Sequence, residues 1–193
     1  MNSSPSRLAV LAIVIVACAV RSSASPEPMV ANPQYATWAK HKLGTSIVLQ
    51  TTTTTGGASV NAQIVETLAE LNRDQAVIEV QTRIDGLSDA GIAAPAQRIT
   101  IKASVAKSEI DQLSLPDGTN GQITLAGSET VSAAGKSYRC KVYDFSATQA
   151  GMNFKGKLWR SDEVPGGVVK TNMTFDGKQS GDISLQLTAI HRK

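Results

Sequence analysis

From Ser46 onward, apolar and polar positions alternate with a period of two. The clearest case is QAVIEVQTRID: Ala76, Ile78, Val80, Thr82 and Ile84 point one way, and Val77, Glu79, Gln81, Arg83 and Asp85 the other. Successive side chains on a strand leave opposite faces, so this pattern predicts strands with one side buried. QRITIKASVA repeats it, with Ile99, Ile101, Ala103 and Val105 against Arg98, Thr100, Lys102 and Ser104. The C-terminal third predicts four strands in succession. Met152, Phe154 and Leu158 share a face, as do Val169, Thr171, Met173 and Phe175, and then Ile183, Leu185, Leu187 and Ala189. Gly-rich breaks at 149–151, 163–167 and 176–181 join them as antiparallel hairpins. The run Thr51–Thr55 suits a strand because threonine is β-branched. VNAQIVETLAEL reads as a strand of poor pattern, with a helix as the alternative.

One segment departs from this period. In NPQYATWAKHK, Asn32 can cap a helix, Pro33 fits its first position, and Tyr35, Trp38 and Ala39 fall on one face. Gly44 is the expected stop. GLSDAGIAAPA reads as a loop, and KSEIDQLSLPDGTNG as a long connection with one helical turn after Ser108.

These elements predict a mainly β fold of about nine strands with one N-terminal helix. One helix covers only part of such an apolar face, so the antiparallel meander should curl into a barrel or half-barrel. A barrel of about eight strands either fills with side chains or holds one small ligand. The expected lining of an apolar cavity is Met152, Phe154, Leu158, Met173, Phe175 and Leu185, joined by Tyr138 and Val142 from KSYRCKVYDF. The stretch KLWRSDEVPGGVVK invites a ligand-loop reading, but no helix follows its glycines and no Gly-Lys-Ser/Thr is present. It is expected to turn one strand onto the next.

The N-terminus sets the compartment. Arg7 precedes an unbroken apolar run, residues 8–20, followed by Arg21 and SSASPEP. Spanning a bilayer takes about 20 apolar residues, so the run suits a secretory signal, with cleavage after Ala24. Ile15-Val16-Ala17-Cys18 also resembles the bacterial lipobox, although Leu usually stands where Ile15 does. That resemblance implies acylation of Cys18 and membrane attachment through the lipid. Both readings stand: residues 1–24 as a plain or lipoprotein signal, 25–32 as a tether, and 33–193 as one β domain. Either way Cys140 loses its one possible intramolecular partner, so no disulfide holds the fold, and a buried, inert thiol is expected.

The remaining chemistry is sparse. The net charge is +3 with no basic block, which argues against a nucleic-acid partner. His41 and His191 lie far apart, and no metal-binding spacing or nucleophile elbow occurs, so neither a metal nor a cofactor is expected. Asp144 falls on the apparent inward face of its strand; a bulge turning it outward is the favoured reading over a buried functional carboxylate. No enzymatic function is expected.

GKSYRCKVYDF followed by GKLWRSDEVPGGVVK and a final amphipathic strand resembles a group of uncharacterised secreted bacterial proteins, over residues 128–190. WAKHKLGTSI is a weaker second patch. More remotely, the order of elements resembles the LolA/LolB-type lipoprotein carriers, although too few helices are found to lid a half-barrel. That likeness implies an antiparallel half-barrel around a lipid-sized apolar cavity. The expected function is an exported, envelope-associated, non-enzymatic protein of the periplasm or outer envelope that binds an apolar ligand or lipidated partner. The alternative is a structural or interaction module with a filled core.

Overall fold

The computed structural model describes residues 27–85, 92–110 and 120–193. The signal segment and Cys18 lie outside them, as do 86–91 of the expected loop and 111–119 of the expected connection.

In chain order the elements are β1 (Met29–Ala31), α1 (Pro33–Trp38), β2 (Ser46–Thr55), β3 (Ala58–Leu71), β4 (Gln75–Ile84), β5 (Ile92–Ala93), β6 (Gln97–Lys102), β7 (Ser104–Ala106), α2 (Lys107–Ile110), β8 (Asn120–Ala133), β9 (Lys136–Gln149), β10 (Met152–Arg160), β11 (Val168–Asp176) and β12 (Gly181–His191). The fold is mainly β and antiparallel, as the alternation predicts. VNAQIVETLAEL is a strand, β3.

Ten strands form one sheet in the order β5-β4-β3-β2-β12-β11-β10-β9-β8, with β6 also on β4. The final strand pairs with β2, so the C-terminal meander joins the N-terminal one at the centre of the sheet. Among the described strands no hydrogen-bonded seam joins β8 to β5 or β6, so the sheet curls but stays open.

The short elements differ from the sequence reading. Met29–Ala31, inside the expected tether, pairs with Ser104–Ala106. Asn32 does cap α1, its side chain accepting from Gln34 N and Tyr35 N, but the helix ends at Ala39 rather than running to Gly44. Among the described residues there are two short helices, the second, Lys107–Ile110, lying where one helical turn is expected after Ser108. β8, which the pattern does not announce, is a 14-residue edge strand.

Helix α1 packs on β4 and β6. Trp38, fully buried, meets a core that includes Ile47, Leu49, Leu68, Ile78, Ile101, Val164, Val169 and Leu187. Burying a side chain of this size stabilises by about 2–3 kcal/mol or more. This end of the sheet is therefore closed.

Candidate functional site

The register gives the apolar wall of β10–β12 and its continuation on β2 residue by residue. Leu158 pairs with Thr171, Thr171 with Leu185 and Leu185 with Thr51. One row further out, Gly156, Met173, Ile183 and Thr53 follow in line, and at the hairpin tips Phe154, Phe175, Gly181 and Thr55. Along this wall Leu158 and Thr171 are buried, whereas Leu185, Met173, Ile183, Phe154 and Phe175 are only half-buried. The Phe154 and Phe175 rings lie 6.2 Å apart and tilted, a contact that shields each in part. The wall is thus apolar on β10–β12 and gives way to threonines on β2, whose hydroxyls are placed by Thr51, Thr53 and Thr55.

Six of the eight residues expected to line a cavity sit on this wall: Met152, Phe154, Leu158, Met173, Phe175 and Leu185. Tyr138 and Val142 do not. Val142 pairs with Trp159, whereas Leu158 pairs with Tyr143, which puts Val142 and Tyr138 on the opposite face of the sheet. There they pack with Trp159 and Cys140 and remain part of the same core cluster as Trp38, Val164, Val169 and Leu187. Trp159 is buried, donates from Nε1 to Glu129 Oε2 at 2.8 Å, and carries Lys170 Nζ 5.1 Å from its ring centre. The β8–β9 hairpin reaches over this side, where Gln186 Nε2 donates to Ser132 O. The single common apolar face expected from sequence is therefore two faces: β9 buries Tyr138, Cys140 and Val142 at one end and Ala147 from the other phase further on. Sheet twist, with the hairpin rolled over, exchanges inside and outside along one strand.

Asp144 follows from the same exchange. It is exposed and pairs with Lys157 at 3.4 Å, on the outward face. The ladder shift in this region lies on β8, between Leu125 and Gly127, so β9 itself needs no bulge. Two concavities of about 430 Å³ each open to solvent. The first is lined by polar groups such as Thr52, Lys155, Lys157, Asn172 and Asp182, and by Trp159, Met173 and Ile183.

The 161–167 loop is more than a solvated turn. It does return β10 onto β11, with Gly167 N donating to Val164 O and Ser161 N to Gly167 O, each at 2.9 Å. Yet Val164, Pro165, Gly166 and Gly167 are all buried. Gly166 adopts φ +74°, and a methyl group there would sit 3.2 Å from Trp38 Nε1 and 3.5 Å from Glu66 Oε2. Gly167, at φ +82°, lies against the Arg160 guanidinium, and burial lowers the Arg160 pKa. The two glycines let the backbone approach these groups.

Glu66 is the residue sequence reasoning missed. It projects from β3 on the core side, between Ile47 and Val80. Its side chain keeps some contact with solvent, but desolvation raises its pKa from 4.5 to about 7. Among the described residues no salt bridge reaches it, and the indole Nε1 of Trp38 has no hydrogen-bond partner. Cys140 is buried, and desolvation raises its thiol pKa, with the Glu129 and Glu163 charges adding to the effect. Among the described residues no group of three His, Cys, Asp or Glu side chains could hold a metal ion. Nor, among them, is any helix long and apolar enough to cross a membrane.

No family model matches this chain, and no curated protein matches it either. Solved structures do. A protein from Parabacteroides distasonis, provisionally assigned as a lipoprotein, superposes with a TM-score of 0.50 at 11% identity, covering 78% of this chain and 96% of its own. A Bacteroides fragilis protein provisionally assigned as exported, with a YmcC-like fold, gives 0.46 at 10% identity, over 79% and 97%. A LolA superfamily protein from Nitrosomonas europaea gives 0.23 at 10% identity, over 85% and 94%. The likeness to the Parabacteroides distasonis structure shows that this fold occurs among solved structures. At such identities it is a likeness of fold, and no residue of a site is transferred by it.

Proposed function

We propose that this chain is an exported, envelope-associated protein that binds an apolar ligand or the acyl part of a lipidated partner on the apolar wall of β10–β12, and that it performs no catalysis. The half-barrel serves as a trough. Its closed end is filled by Trp38 and the 161–167 loop, and its open end offers Phe154, Phe175, Met173 and Leu185. The single observation carrying this reading is that these four large apolar side chains share one wall and stay half-buried. Covering them would contribute about 25 cal/mol per Å² of apolar surface. The lipobox-like Ile15–Cys18 supports delivery to a membrane surface through acylated Cys18. The neighbours provisionally assigned as exported or as a lipoprotein support the same compartment.

Native mass spectrometry of protein purified from its own host tests this. The wild type is expected to carry an acyl lipid as added mass, and Met173→Asp to lose it. A ligand-free wild type would sink the reading. The filled core at the closed end favours a second reading, an envelope interaction module without ligand. It predicts a ligand-free mass together with a partner captured by crosslinking in the host.

A further inference from the structure

No basic block occurs in the sequence, yet the fold assembles one. Lys40-His41-Lys42 and His191-Arg192-Lys193 lie far apart along the chain. Antiparallel pairing of β12 with β2 sets His191 against Ser46. The Lys193 side chain then lies across Gly44, where an added methyl group would meet its Cδ at 2.8 Å. Burial lowers the His41 pKa, and Arg192 and Lys40 come close enough for their charges to add to this.

Lys40, Lys42, His191, Arg192 and Lys193 are all exposed. Counter-charges are few. No Asp or Glu stands between Glu27 and Glu66 or after Asp182, so both segments enter the patch without acids. Among the described residues no ion pair engages Lys40, Lys42, Arg192 or Lys193. From the 161–167 loop, Asp162 offers Lys40 Nζ its backbone carbonyl at 3.0 Å, and Glu163 binds Lys136 at 2.9 Å. Like charges gathered in this way work against the folded state. Leu43, between Lys42 and Gly44, is 54% exposed among them.

We propose that this patch docks the domain on an anionic lipid surface, with Lys40, Lys42, Arg192 and Lys193 at the phosphate headgroups and Leu43 entering the apolar boundary. An exposed leucine flanked by cations suits a bilayer interface, where phosphates and acyl chains lie side by side. Nucleic acid would call for a longer basic stripe with aromatic platforms, and neither segment holds a Phe, Tyr or Trp. The chain before the fold leads to the same surface. Lipid on Cys18 leaves residues 19–26 as a tether, with a reach of at most about 29 Å. The Glu27 carboxylate then accepts from Ser108 N and Oγ, and α1, about 9 Å long, carries the chain on to Lys40. The anchor keeps the patch near the bilayer, and the charges, which act over about 8–10 Å, set which side of the domain faces it. Ligand binding on the β10–β12 wall is not required for this.

A polarity-sensitive dye attached at Leu43→Cys in the full chain tests the proposal. Cys18→Ser blocks acylation, and the buried Cys140 does not react. Vesicles of phosphatidylcholine with about one third phosphatidylglycerol should shift the emission to the blue, and phosphatidylcholine alone should not. Each Lys or Arg near an anionic surface is worth about fivefold in affinity. Lys40→Gln, Lys42→Gln, Arg192→Gln and Lys193→Gln together should therefore raise the lipid concentration needed by about 100-fold or more. Arg139→Gln, Lys141→Gln, Lys155→Gln and Lys178→Gln remove the same charge from exposed positions elsewhere and should change it only severalfold. Added salt should weaken binding in step with screening. No shift, an equal shift on both vesicles, or an equal loss in the two fourfold variants would overturn the proposal and leave the patch to an acidic protein. None of these results bears on the β10–β12 wall, which native mass spectrometry reads separately.

Discussion

The two ends of the apolar wall are built from the same strands with the same alternation, yet they differ in what lies on top of them. At the closed end Ile47, Leu49, Leu68 and Leu187 are covered by Trp38 and Val164 and have almost no exposure. At the open end Phe154, Met173, Phe175 and Ile183 occupy equivalent positions and remain half-buried. Strand pattern alone therefore does not decide burial here. A six-residue helix and a seven-residue loop do, because a curled but open sheet hides only part of its inner face. The difference also separates roles: the covered end carries stability, and the uncovered end is free to interact.

Substitutions can probe that division. Trp38→Ala empties the closed end and should cost about 3–5 kcal/mol, read by urea denaturation. If it costs no more than a half-buried position such as Phe154→Ala, the two ends are energetically alike and the division fails. Gly166→Ala combines positive φ with contact against Trp38 and should cost about 2 kcal/mol. Gly57→Ala, at φ +82° in open space, should cost about 1 kcal/mol. Equal losses would mean that the loop is not wedged.

Glu66→Gln should stabilise the protein by about 1–2 kcal/mol at pH 8 and leave it unchanged at pH 4. Because the folded pKa is raised from 4.5 to about 7, the folded state holds more protons than the unfolded one between these values. Wild-type stability then falls as pH rises through that window and levels off above it, and the variant lacks the fall. A full shift would correspond to about 3.4 kcal/mol, and residual hydration of the side chain reduces it. The smallest effect is expected on the outer face. Lys157→Ala breaks only the exposed pair with Asp144 and should change stability by less than about 0.5 kcal/mol.

Much of the fold is legible in the sequence. β4, β6 and β9 to β12 follow from alternation, and Asn32-Pro33 marks the start of α1. β8 escapes because NGQITLAGSETVSA has little apolar periodicity: its edge position leaves both faces largely exposed, and Leu125 is 63% exposed. β1 and β7 are three residues each, too short to carry a period. Within the site, six of the expected residues share one wall because they alternate cleanly, whereas Tyr138 and Val142 face the other way, because a strand's phase says which residues share a side but not which side is inside. Glu66 had a signal that poor patterning hid. Val60, Ala62, Ile64 and Leu68 are its companions on one phase of β3, and an acid in that series is the anomaly. Its burial arises only when α1 and the 161–167 loop, far away in sequence, come to rest on it.

For the exported protein proposed above, Cys140 has a consequence. The residue is 1% exposed, its sulfur donates weakly to Tyr138 O at 3.6 Å, and burial raises the thiol pKa. Thiol exchange requires an accessible thiolate, and this site offers neither access nor charge. A folded copy can therefore meet oxidants and foreign disulfides without becoming covalently joined to another molecule, and only a chain that has lost its fold would be captured that way.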